Sequence, residues 1–192
     1  MAERLPRARM TVGAALATLL AIAGCALLLS ASSMAATVTA TATIPGGSLT
    51  LTSSATPSFS ATLNGTDQTP TDTSPRTATD STGSGTGWNT TITSTTFTAG
   101  AKTLSTTAST VTGVTSACVG GTTCTNPTNA ITYGLTVPAA ATAPTAVKLF
   151  NAAANTGMGS FTLTPTVQVA VPANTLSGTY TSTLTLAIVS GP

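Results

Sequence analysis

The sequence contains no histidine, and its single glutamate, Glu3, lies among the first residues. Past residue 35 the only acids are Asp67, Asp72 and Asp80. Charged residues make up 5% of the chain, against roughly 25% in ordinary soluble domains. These shortages exclude most catalysis. General acid–base and nucleophilic chemistry need titratable groups that converge. A Ser-His-Asp arrangement cannot be assembled, and paired carboxylates have only the three aspartates to draw on, all in or beside turn-like sequence where aspartate serves turn hydrogen bonding. We therefore expect no enzyme and no cofactor. The three bases past residue 35, Arg76, Lys102 and Lys148, balance the three acids and form no basic patch, which excludes electrostatic binding to nucleic acid.

The bases that remain are gathered at the N-terminus. Arg4, Arg7 and Arg9 precede an apolar run from Thr11 to Leu29. Ser33-Met34-Ala35 then places small residues where signal peptidase reads them. Residues 1–35 are expected to be a signal peptide cleaved after Ala35. A retained anchor is the alternative, since the run approaches the ~20 residues that span a bilayer. A second exit is Ile22-Ala23-Gly24-Cys25, which has the form of a lipobox and would make Cys25 the lipidated first residue. Against it, the apolar Ala26-Leu27-Leu28-Leu29 follows where such chains turn polar. Membrane attachment is expected only through lipidated Cys25 or a retained signal.

Of three cysteines, that leaves Cys118 and Cys124, an even pair in an exported chain, which reads as a disulfide. Two cysteines without histidine do not make the four-ligand zinc set, so no metal site is expected there. Asn64, Asp67 and Asp72 are too few and too irregularly spaced for a calcium loop. A Lys–Asn cross-link through Lys102 or Lys148 would need a buried acid on an apolar strand face. Solvated lysines whose stems cover apolar surface are the expectation.

What the chain has in abundance is threonine, alternating with apolar residues. Ile131, Tyr133, Leu135 and Val137 share one parity; so do Phe161, Leu163, Pro165, Val167, Val169 and Val171; so do Tyr180, Leu184, Leu186 and Ile188. Period two places apolar side chains on one sheet face and hydroxyls on the other. Threonine is β-branched and suits such strands. One dry and one wet face is the pattern of paired antiparallel sheets. The roughly 157 residues after Ala35 are therefore expected to form one all-β domain, residues 36–192, an antiparallel β-sandwich of roughly nine or ten strands. Strands are expected near 37–44, 48–53, 58–63, 75–80, 87–97, 110–117, 130–137, 146–150, 159–171 and 178–189. Asn64–Ser74, Ala139–Ala146 and Asn151–Gly159 are expected as loops.

The only tryptophan, Trp88, follows Gly83, Gly85 and Gly87. This run is no phosphate loop, because no lysine and no helix follow; it reads as a turn with positive φ. Trp88 itself has two readings: a core residue, as aromatics are in sandwiches, or an exposed ring that stacks on a sugar or a partner.

The segment Arg76-Thr-Ala-Thr-Asp80-Ser-Thr-Gly-Ser-Gly-Thr-Gly-Trp88 and the ending Gly178-Thr-Tyr180-Thr-Ser-Thr-Leu184-Thr-Leu-Ala-Ile188-Val-Ser-Gly-Pro192 resemble, in order and spacing, the central and closing segments of the WxL-domain surface proteins of Gram-positive bacteria. The resemblance implies an exported β domain at the cell surface, bound non-covalently to the cell wall through peptidoglycan. Neither Trp-x-Leu motif is intact: the first reads Trp88-Asn89-Thr90 and the second Leu186-Ala187-Ile188. Positions i and i+2 share a strand face, so the motif pairs become Trp/Thr and Leu/Ile. The resemblance makes Trp88, Asn89, Thr90, Tyr180, Leu186 and Ile188 the candidate binding residues. The ending carries no sortase-type motif or apolar tail, so the protein is expected to be free, lipid-anchored through Cys25, or held by non-covalent binding. The alternative function is a structural or adhesive surface protein that binds another surface protein, through exposed strand edges for example.

Overall fold

The Thr-apolar alternation becomes strand wherever a neighbouring strand can complete its hydrogen bonds. In the computed structural model, which describes residues 36–192, no helix occurs among the described residues. The strands are β1 (Leu49–Ser53), β2 (Thr71–Thr73), β3 (Arg76–Asp80), β4 (Trp88–Thr95), β5 (Thr98–Ala99) and β6 (Lys102–Thr103). They continue with β7 (Ser109–Cys118), β8 (Leu135–Thr136), β9 (Ala139–Ala140), β10 (Val147–Ala152), β11 (Gly159–Val169) and β12 (Leu184–Ser190). The expected signal peptide, its cleavage site and Cys25 lie outside the described residues.

The fold is an all-β sandwich. Its larger sheet runs β1-β3-β11-β7-β8, with β2 also on β11; the smaller runs β10-β4-β12, with β9 also on β4. All pairings are antiparallel except the short β4–β9 contact. Residues from Ile44 to Pro192 form one compact unit. β11 is the spine of the larger sheet, and its alternation survives intact: Phe161, Leu163, Pro165, Val167 and Val169 are buried and the residues between them half-buried. Proline is unusual in a central strand because it cannot donate to the ladder. Pro165 is accommodated next to an irregularity, for the β11–β7 register shifts between Thr166 and Val167.

The core between the sheets contains Trp88, Ile92, Val111, Leu149, Phe150 and Phe161, with Leu184, Leu186 and Ile188 of β12 packed against it. A smaller cluster holds Leu104, Ala108 and Val169, flanked by Phe59, Phe97, Val171 and Tyr180.

Several expected elements are corrected. Residues 37–44 and 58–63 contain no strand. Alternation says which side of a strand would be wet; it does not supply a partner. After residue 44, Pro45 lacks a donor and Gly46 passes so close to the turn at Thr82 that a Cβ there would lie 2.3 Å from the Thr82 carbonyl oxygen. Ser58 donates its amide to the Asp72 side chain rather than to a strand. Of 130–137 only β8 is strand, because Ile131 and Asn151 both donate their amides to the side-chain oxygen of Asn129. Of 178–189 only the part from Leu184 is strand.

The expected loops need correction too. Asn64–Ser74 contains β2, and Ala139–Ala146 begins with β9. This second loop lies over the outer side of β4, where the Thr93 hydroxyl donates to the Pro144 carbonyl at 2.8 Å. Asn151 and Ala152, expected in a surface connection, are buried residues of β10.

Candidate functional site

The two altered motifs meet in space. β4 and β12 are neighbours, and Ile188 lies opposite Thr90, with Leu186 opposite Ile92 and Ser190 opposite Trp88. Paired residues share a sheet face, so Trp88, Thr90, Leu186 and Ile188 all point toward the core. Trp88 is 0% exposed. Its indole N–H donates to the Gly157 carbonyl at 2.9 Å, and its ring lies 5.8 Å from that of Phe150. Thr90 is buried as well, within 3.5 Å of the Phe150 carbonyl. Asn89, on the opposite face, is buried and donates to the Gly191 carbonyl at 2.7 Å. A ligand cannot reach these three side chains in this fold, which corrects the reading of Trp88 as an exposed stacking ring. Ile188 is half-buried against the core.

Glycine makes the burial of Trp88 possible. Gly83, Gly85 and Gly87 all adopt positive φ, as the turn reading expects. A Cβ on Gly87 would lie 2.4 Å from the Ala152 carbonyl oxygen, and one on Gly157 would lie 2.8 Å from the indole nitrogen. The chain at Gly157 therefore packs directly on the ring, while Gly87 packs on the backbone of Ala152.

The accessible concavity lies elsewhere. Between the edge strands β1 and β12 is a groove of about 470 Å³, lined by Leu51, Ser53, Phe59, Arg76, Leu184 and Leu186 among others. It adjoins a second of about 660 Å³ lined by Leu63, Leu104, Val171, Leu176 and Tyr180. Phe59 and Phe97 line both, and their rings meet edge to face at 6.2 Å. Leu63 and Leu176 are exposed at its margin. Tyr180, anchored by its hydroxyl to the Leu176 carbonyl, and Leu186 are thus the two candidate residues that reach a ligand-accessible surface.

Among the described residues, Arg76 is the only charged side chain lining either groove. It is 7% exposed, and burial pulls its guanidinium below its ordinary pKa. Its terminal nitrogens donate to the hydroxyls of Ser53 and Ser74, while Nε has no partner. Arg76, Ala78 and Asp80 form the buried face of β3, a signal available from parity alone, since Arg76 shares the parity of Ala78.

The remaining candidates are structural. Cys118 and Cys124 form a disulfide at the end of β7. Asn64 accepts from Thr66 and Gln68, Asp67 from the Ala173 amide, and Asp80 from Thr82. Asp72 accepts from the amides of Ser58 and Thr73, which hold its carboxyl below the usual value. Burial raises the Tyr133 phenol, opposed by a hydrogen bond from Asn129. Lys102 and Lys148 donate to backbone carbonyls of Ser177 and Pro192.

Comparison with protein-family models, with curated proteins and with solved structures finds no match.

Proposed function

We propose that this protein is a non-catalytic, exported binding domain of the Gram-positive cell surface. It associates non-covalently with the cell wall, through peptidoglycan, as its resemblance to WxL-domain proteins implies. The observation that carries the reading is the continuous open groove across Phe59 and Phe97. Its aromatic floor, bordered by the hydroxyls of Ser182, Thr183 and Tyr180, has the mixed character that takes a strand of glycan or peptide. The disulfide fits an oxidising, extracytoplasmic environment. The side chains of Asp67, Asp72 and Asp80 each accept from a backbone amide.

Co-sedimentation of the exported protein with purified, protein-free cell walls tests this. Wild-type protein is expected in the pellet, and Tyr180→Ala in the supernatant while still folded by circular dichroism at the assay temperature. Wild-type protein that stays in the supernatant at low and moderate salt defeats the reading. A protein partner is then favoured, on the strength of β12, an edge strand with exposed Val189.

A further inference from the structure

Among the described residues, Arg76 carries a charge for which no side chain provides a counter-charge. A buried charge is tolerated only when it is paired and hydrogen-bonded. Of the five guanidinium N–H groups, Ser53 and Ser74 take one each, and Nε donates to nothing. No acid of the described chain completes the set. Asp80 sits on the same buried face of β3, but four residues of strand separate the two by roughly 13 Å. Asp80 is occupied by Thr82, Asp72 by Ser58 and Thr73, and Asp67 by Ala173.

The surroundings are built to present the guanidinium. Ser53 and Ser74 both turn their hydroxyl hydrogens to the Ala55 carbonyl, at 3.2 and 3.1 Å. Their lone pairs are therefore committed to Arg76, which holds the guanidinium plane in place. Arg76 also lines the groove, beside Leu51, Phe59, Leu184 and Leu186.

We propose that Arg76 is the receptor for a peptide carboxylate that enters the groove between β1 and β12, with the residue beside the carboxylate resting on Leu51, Phe59, Leu184 and Leu186. A planar monoanion matches the guanidinium fork. A phosphate would leave further oxygens facing apolar side chains. Hydroxyls of Thr56, Ser182 and Thr183 interrupt the apolar lining, which suits a peptide backbone better than an acyl chain. The source of the peptide rests on the wall-binding reading, since peptidoglycan carries peptides with free carboxylates.

The test follows the Arg76 Nε–H resonance of the exported protein by NMR during titration with N-acetyl-alanyl-leucine, its C-terminal amide, and inorganic phosphate. The free carboxylate is expected to shift the resonance and the amide to leave it in place. Arg76→Met is expected to weaken binding of the acid about tenfold to a hundredfold. An amide that shifts the resonance equally, an acid that does not shift it, or a response to phosphate alone overturns the proposal. The titration uses wild-type protein, so it stands even where Arg76→Met fails to fold. Walls whose carboxylates have been chemically amidated provide a second arm. If wild-type protein binds native and amidated walls alike, the carboxylate site is refuted and wall binding stands. If the acid binds Arg76 but walls do not sediment the protein, the site stands and the wall reading fails.

Discussion

Replacing Trp88 by alanine separates a core role from a binding role. The indole is fully buried, packs at 5.8 Å on Phe150, and donates to the Gly157 carbonyl. Truncating a buried aromatic costs about 3–5 kcal/mol. Leaving the Gly157 carbonyl without its donor adds about 1–3 kcal/mol if water cannot enter. The sum is a large part of the roughly 5–15 kcal/mol that holds a domain folded. For a domain of this size each kcal/mol lowers the melting temperature by about 2–4 °C, so Trp88→Ala is expected to fall by about 10–30 °C. Trp88→Phe keeps most of the ring and loses the N–H, and is expected to melt between the two. Thermal and denaturant unfolding followed by circular dichroism measure this. Trp88 is also the only tryptophan, so the wild-type fluorescence needs no labelling. It is expected to be blue-shifted and resistant to acrylamide until the protein unfolds. An Ala variant that melts like wild type, or a native tryptophan open to quenching, refutes the buried placement and the reasoning built on it.

Gly157→Ala approaches the same ring from outside. Its Cβ would lie 2.4 Å from the Ala152 Cβ at a φ of 71°, so a loss on the order of 3 kcal/mol is expected by denaturant titration. Gly83→Ala, at a φ of 67° but with nothing within 4 Å, is the control and is expected to lose only about 1 kcal/mol. Reducing the disulfide, which links residues six apart, is expected to lower stability by about 2 kcal/mol on the chain-entropy model. An unchanged unfolding midpoint in reductant would contradict that. Asp72 has a pKa depressed by the amides of Ser58 and Thr73, so its contribution is complete above the ordinary aspartate value of about 3.9 and is lost as pH falls through the lower folded value. Hydrogen exchange at the Ser58 amide is expected to lose protection, relative to the intrinsic rate, over that acid range. In Asp72→Asn the pH dependence at Ser58 is expected to disappear.

Much of this architecture is legible in the chain itself. The strict alternation from Phe161 to Val169 names both the buried face of β11 and its strand character, because a period of two leaves no other regular structure. The lack of histidine and the scarcity of acids are properties of composition, which folding cannot alter. Cys118 and Cys124, the even pair left once Cys25 is set aside, were read as a disulfide and form one.

Tertiary structure decided which alternating runs became strands. Residues 37–44 and 58–63 have the pattern but no ladder, whereas Thr71–Thr73, with almost no pattern, gains one from β11. Hydrogen-bond partners distant in sequence are not encoded in local periodicity. Tertiary structure also decided the fate of Trp88. The flanking glycines are compatible with an open mouth, and only the approach of Gly157 to the indole closes over the ring. The groove lining fell instead to the half-buried Phe59, Phe97, Tyr180 and Leu186, which lie far apart in the chain. Arg76 belongs to both accounts. Its parity with Ala78 points it inward, but only the fold sets it beside Ser53 and Ser74 with no acid among the described residues in reach, because the burial of a charge is local while its neutralisation depends on everything packed around it.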